Sequence, residues 1–220
     1  MLKKENIDAV TVVTPDSSHC EITLDSIRFG KHVLCEKPIA TNSADARKML
    51  TAAKSAKLIN MVNFSYRGSS ALQKAAFMVK SGKLGEMRHL EASYLQSWLT
   101  TFSSVKNPGA GSKWRLCSAA GSKGDLGDLG VHILDFASFV AGNISKIYCE
   151  MRTFDKGLGT QFIDGMKMDA NDSFYSTVEF QNGAVGVIHS SRWATGHSNS
   201  IKLEVSGTKG ALRIDLDKSW

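Results

Sequence analysis

Three short segments place side chains where they could move a proton or hold a developing charge. Glu36-Lys37-Pro38 follows directly on the apolar run His32-Val33-Leu34-Cys35. In open α/β sheets, ligands bind beyond the carboxyl ends of the strands, so Lys37 stands at the mouth of a site. Pro38 fixes φ there and stops the strand. Taken alone, a lysine after a strand reads more readily as a surface charge. Asp128-Leu129-Gly130-Val131-His132-Ile133-Leu134-Asp135 opens a helix. At about 100° per residue, Asp128, His132 and Asp135 fall within roughly 60° of one another. Leu129, Ile133, Phe136, Ala137 and Val140 form a separate apolar stripe. The acid–imidazole pair therefore projects away from the core, toward a cleft or toward water. Gly130 leaves room for a ligand or for backbone. Thr14-Pro15-Asp16-Ser17-Ser18-His19 lies at the carboxyl end of the first strand. The helix N-terminus there offers free N–H groups, though taken alone the segment reads first as simple helix capping.

The elements that must position these residues divide into two styles. Ala9 to Thr14 is β-branched and apolar on both faces, as a buried parallel strand should be. Asp16 or Ser17 caps a helix with Cys20, Leu24 and Ile27 on one face, and Gly30 ends it. His32 to Cys35 is the second strand. Ser43 caps a second helix with Ala46, Met49, Leu50 and Ala53 on its apolar side. Leu58 to Val62 is a third strand, and a third helix runs from Ser70 to Lys80. This alternation implies a parallel sheet with right-handed crossovers. After Gly85 the pattern changes. Met87 to Gln96 reads as a half-exposed strand, Lys106 to Gly124 as a loop, and Asp128 to Val140 as a helix. Phe174, Ser176, Val178 and Phe180 alternate with Tyr175, Thr177 and Glu179, and Asn182-Gly183 turns the chain into Ala184 to His189. Ile201 to Val205 and Ala211 to Leu216 are strands joined by Gly207-Thr208-Lys209-Gly210. The fold class is α/β plus α+β. Residues 1–85 form the C-terminal half of a Rossmann sheet, and residues 86–220 form an open, mostly antiparallel sheet with a packed helix.

Composition narrows the classes of function. Hydrophobic residues make up 42% of the 220 and charged residues 22%, which suits a globular chain with a core of its own. No run of 18 apolar residues is present, so no segment reads as a membrane span. The first residues lack the h-region of a secretory signal. Cys20, Cys35, Cys117 and Cys149 form no C-x-x-C pair, which argues against zinc or a disulfide framework and for a reducing cytoplasm. The net charge of +6 comes from scattered Lys and Arg. Without a block of like charge, a nucleic-acid partner is not expected. Gly109-Ala110-Gly111 and Gly121-Ser122-Lys123-Gly124 do not follow a strand and open a βαβ crossover, and the chain contains no G-x-G-x-x-G, Walker P-loop, H-E-x-x-H or G-x-S-x-G.

In order along nearly the whole chain, these segments resemble the Gfo/Idh/MocA oxidoreductases, the family of glucose–fructose oxidoreductase and inositol dehydrogenase. Thr14-Pro15 with His19, Gly30 through Pro38, Asn63-Tyr66-Arg67, Trp114-Arg115, and Asp128-Leu129-Gly130-Val131-His132 with Asp135 carry the resemblance. So do Asn171-Asp172, Asn182-Gly183 and Gly207-Thr208-Lys209-Gly210. E-K-P alone is a weak signal. E-K-P followed about ninety residues on by D-x-G-x-H, in the right fold order, is a specific one.

The resemblance implies hydride transfer between NAD or NADP and a carbinol carbon of a sugar, polyol or cyclitol. It assigns Lys37, Asp128 and His132 as the catalytic group, sharing one cleft. His132, with an ordinary value near ~6.5, suits a general base. Lys37 suits stabilisation of the carbinol oxygen. Asp128 suits orientation of the imidazole or a substrate hydroxyl. Thr14, Pro15, His19, Glu36 and Lys37 would border the cofactor, and Trp114 and Arg115 would contact cofactor or substrate. Pairing through the open sheet into a homodimer or homotetramer is expected. The family's glycine-rich unit and ribose-reading acid should precede residue 1, so roughly 60 residues of the pattern are absent. The far end of the second domain is absent as well. An inactive fragment, and an NAD-dependent glycosidase reusing the same residues, are the alternatives.

Overall fold

The run Ala9-Val10-Thr11-Val12 forms strand β1 (Ala9–Val12), with Val10 and Val12 turned inward. In this computed structural model, which describes residues 6–100 and 113–217, β1 pairs in parallel with β2 (His32–Cys35), and β2 with β3 (Asn60–Val62). Helices α1 (His19–Arg28) and α2 (Ser43–Ala56) make the crossovers. Val10, Val12, Ile27, Val33, Cys35, Met49 and Ala53 form the core of this part.

Two local details differ from the sequence reading. A 3-10 turn at Asp16–Ser18 precedes α1. The buried face of α1 is then His19, Thr23, Ser26 and Ile27 rather than Cys20, Leu24 and Ile27. The N-cap of α2 is Asn42, whose side chain accepts from the Asp45 amide at 2.9 Å, so Ser43 is the first helical residue. The end of α1 is as expected. The Gly30 amide donates to the Ile27 carbonyl at 2.9 Å and the Lys31 amide to Ser26 at 3.0 Å.

The chain divides into two compact units, Met1–Phe64 and Ser65–Trp220. The boundary thus falls before α3 (Ser70–Lys80), not after residue 85. The reason is the destination of its apolar face. Leu72, Ala75 and Ala76 are buried in the core of the second unit, together with residues of helix α4 (Val131–Ala141).

The second unit is built on a six-stranded sheet. Its strands are β4 (Met87–Leu95), β5 (Ile144–Arg152), β8 (Ser173–Phe180), β9 (Val185–Ser191), β10 (Ser200–Gly207) and β11 (Ala211–Asp215). Their order is β11-β10-β4-β9-β8-β5. Every pair is antiparallel except β4–β9. A separate two-stranded hairpin joins β6 (Phe162–Ile163) to β7 (Met166–Lys167). The alternation in β8 holds: Phe174, Ser176, Val178 and Phe180 are buried. Gly183, at φ +84, makes the turn to β9, a conformation that costs glycine little. The inner face carries Leu90, Ile188, Ile201, Leu203 and Val205 against Ile133, Phe136 and Val140 of α4. Each such side chain contributes about 1.5–3 kcal/mol on burial. The outer face aligns Tyr148, Thr177, Val187 and Glu91 in one row.

Candidate active site

In the first unit, side chains tie the three strands together at their carboxyl ends. His19 is completely buried. Its Nδ1 lies 2.9 Å from the Pro38 carbonyl and its Nε2 2.8 Å from the Thr14 carbonyl. The ring therefore braces the end of β1 to the segment after β2. Glu36 makes the next tie. Its Oε2 accepts from the Lys37 amide at 3.1 Å, and its Oε1 accepts from Asn63 Nδ2, just past β3, at 2.5 Å. Ser18 Oγ donates to the Thr14 hydroxyl at 2.7 Å and bonds the Pro15 carbonyl at 2.8 Å. The peptide Lys37–Pro38 is cis. With both ring nitrogens against main-chain carbonyls and no exposed surface, His19 lies behind the mouth as a brace of the strand ends rather than on its surface. Thr14, Pro15 and the half-buried Lys37 and Glu36 remain at the mouth.

In the second unit, the chain enters α4 through a π-helical turn at Leu126–Gly130. Single π turns inside helices recur at functional sites. This one carries Asp128, with His132 in the first turn of α4. Gly130 is needed here for packing and not for ligand approach, because a Cβ would meet Phe174 Cε1 at 2.7 Å. Asp128 faces two guanidinium groups. Arg192 Nη2 lies 3.2 Å and Arg115 Nε 3.7 Å from its Oδ2. The Arg115 guanidinium is 5.1 Å from the Trp114 ring centre. The unit thus brings Trp114 and Arg115 to the expected catalytic acid.

His132 packs edge-on to Tyr66, 5.0 Å between ring centres, and to Tyr94, 6.2 Å away. The two phenol oxygens are 2.8 Å apart. Tyr94 donates to Asn199 Oδ1 at 2.8 Å, and Gln96 Nε2 donates to the same oxygen at 2.6 Å. Burial and the Tyr66 hydroxyl raise the Tyr94 phenol far above its ordinary value, so it stays neutral. The imidazole therefore packs against two phenol rings, behind which Gln96 and Asn199 hold the Tyr94 hydroxyl. Asp135, one turn beyond His132, accepts from Arg67 in a two-pronged pair at 2.9 and 2.5 Å.

Beneath this layer lies a second carboxyl. Asp125 is completely buried and accepts from the Ser190 hydroxyl. Desolvation pushes its carboxyl up to about 7, against the opposing pull of Ser190 and Arg192. Tyr94, Gln96, Asn199, Asp125 and Arg192 were not singled out from the sequence. For Arg192 a signal existed, since it follows directly on the apolar strand β9, as Lys37 follows β2. No group of acidic, histidine or cysteine side chains suited to a metal ion occurs among the described residues, and none of their helices is long and apolar enough to cross a membrane.

Residues 72–213 match the model of the GFO/IDH/MocA C-terminal domain, and residues 1–64 match the oxidoreductase-family model of the NAD-binding Rossmann fold. The chain belongs to the Gfo/Idh/MocA family. Levoglucosan dehydrogenase of Pseudarthrobacter phenanthrenivorans is 29% identical over 97% of the chain and 56% of its own length. The 1,5-anhydro-D-fructose reductase of Ensifer adhaerens is 31% identical over 94% of the chain and 56% of its own. Among solved structures, levoglucosan dehydrogenase in complex with NADH and levoglucosan superposes with a TM-score of 0.86 at 28% identity, covering 99% of the chain and 56% of that protein. An oxidoreductase domain protein from Kribbella flavida gives 0.84 at 34% identity, covering 98% of the chain and 56% of that protein. The chain thus spans about half the length of the curated relatives it matches. The family's parallel sheet followed by a mixed sheet with helices is the fold described above.

Proposed function

We propose that this chain carries the catalytic group of an NAD(P)-dependent dehydrogenase acting on a sugar, polyol or cyclitol. A carbinol hydroxyl is a very weak acid, so the proton must leave as the hydride does. His132 takes that proton as general base. Lys37 donates a hydrogen bond to the same oxygen and stabilises its developing charge. Asp128 orients the imidazole or holds a neighbouring hydroxyl. The phenols beside His132 (Tyr66, Tyr94) and the amides bonded to Tyr94 (Gln96, Asn199) suit an uncharged, hydroxyl-rich substrate. The Thr14 hydroxyl and the Lys37 ammonium at the strand ends suit the nicotinamide end of a dinucleotide, with Trp114 and Arg115 as further contacts. The dinucleotide, when bound, supplies the hydride acceptor.

What supports the reading above all is the placement of an acid and an imidazole on one π-to-α helix head, with two guanidinium groups on the acid. Family membership supports the reaction class. Relatives named for levoglucosan and 1,5-anhydro-D-fructose make anhydro sugars the first substrates to try. Reduced-dinucleotide absorbance is the assay, with NAD and NADP run separately. K37M and H132N should each lower kcat by about 100-fold or more. Full turnover in either variant, or none by the wild type with any sugar, polyol or cyclitol, sinks the proposal.

The partner reading belongs here too. The outer sheet face exposes Tyr148, Tyr175, Val185 and Val187, which suits pairing with a second copy; a monomer by light scattering would refute it. All four cysteines are free thiols, which suits a reducing cytoplasm.

A further inference from the structure

Arg192 is 1% exposed, the largest side chain buried to that degree among the described residues. A buried guanidinium is costly unless every donor and the charge itself are met. Here Nη1 donates to the Arg115 carbonyl at 3.1 Å, and Nη2 to the Gly124 carbonyl at 2.8 Å and to Asp128 Oδ2 at 3.2 Å, while the buried Nε meets no acceptor among the described residues. The group also lies 5.4 Å from the Trp98 ring centre. Its three acceptors belong to three places: the Trp114–Arg115 segment, the turn before the π-helix, and the π-helix itself.

Three carboxyls surround this cation: Asp125, Asp128 and Asp172. Asp172 is completely buried and paired with the buried Lys156. Asp125 takes the Ser190 hydroxyl, and burial favours its neutral form. Asp128 is the carboxylate left to balance Arg192. We propose that Arg192 is the positioning residue of the site, locking the Asp128 carboxylate and the main chain of Arg115 and Gly124 into one arrangement. This rests on the reading of Asp128 as a member of the catalytic group. A planar fork meets three acceptors at once, which a lysine's single ammonium does not reproduce.

The test begins with nitrogen–proton spectra of the guanidinium groups in the full chain. In the wild type, the Arg192 Nη signals should be resolved and slow to exchange. D128N removes the charge but keeps a side-chain oxygen that can still accept from Arg192, and circular dichroism is recorded first so that the spectra compared are those of folded protein. The Arg192 signals should then shift and broaden, and signals unmoved by D128N overturn the proposal. R192K is the second arm. The titration of the His132 ring should be displaced in R192K, and kcat should fall by up to about 100-fold with KM changed much less. A folded R192K with an unchanged His132 titration reduces Arg192 to a packing role and overturns the proposal. If R192K does not fold, D128N decides alone. Coupling in the spectra without turnover by the wild type would sink the dehydrogenase reading and support the Arg192–Asp128 tie.

Discussion

The mouth of the first unit and the helix head of the second are held by different physics. At the mouth, strand ends are tied by His19, which reaches the Thr14 and Pro38 carbonyls, and by Glu36, which accepts from Asn63. At the helix head, buried charges do the holding: Arg192 on Asp128, and Lys156 on Asp172. Hydrogen bonds to backbone are forgiving of sequence elsewhere, because every residue but proline offers the same donor and acceptor. Buried ion pairs are not, because each partner strands the other when lost. The helix head should therefore be the more brittle region under substitution.

The sharpest way to break this contrast is K156M. Lys156 and Asp172 are both essentially unexposed, and Lys156 also donates to the Phe154 carbonyl at 2.8 Å. Loss of the lysine strands a buried carboxylate and should cost about 3–5 kcal/mol, read as a large drop in denaturation midpoint. A change under 1 kcal/mol, ~1.4 being tenfold in population, would remove the claim of brittleness. Next comes H19A, which uncouples two main-chain carbonyls and should cost on the order of 3 kcal/mol. Hydrogen exchange should show that loss confined to residues 6–64. Equal loosening in the second unit would contradict the division of labour.

Asp125 gives a pH signature. Its folded carboxyl lies at about 7, above the ordinary 3.8. The folded state thus prefers the protonated form. The stability this contributes is full below 3.8 and is lost as pH rises through about 7. Between pH 5 and 8 the wild type should lose about 2–3 kcal/mol from this group, and D125N should not. Parallel pH curves for the two proteins would refute the assignment. The smallest effect expected is N42A, which removes the α2 cap and should cost about 1 kcal/mol, measurable as a small shift in thermal midpoint.

Much of this fold could be read from the residues alone. Continuous apolar runs mark β1 and β2, and strict alternation marks β8, because buried faces write their period into the sequence. Strand β5 escaped notice because it is an edge strand: Ser145, Lys146, Ile147 and Tyr148 are all exposed, so no period is imposed. The buried face of α1 was read one step out of phase because its first buried residue is a histidine, not an aliphatic. At the candidate site, Asp128 and His132 stand out by spacing on one helix. Arg192 and Asp125 do not, since their meeting spans more than sixty residues and depends on sheet register. The partner of Asp135 was hidden in the same way, because Arg67 lies more than sixty residues away in the sequence.

The π turn at Leu126–Gly130 also sets a phase. It holds one residue more per turn than the α-helix that follows it. Forcing the same five residues into ordinary helix, with none removed, would swing everything upstream by about 100°. Ile133, Phe136 and Val140 would keep their seats in the core, while Asp128 would rotate off Arg192. The extra residue works as a gear tooth, letting one helix satisfy a hydrophobic core along its length and a charge at its head that an unbroken period would not serve together.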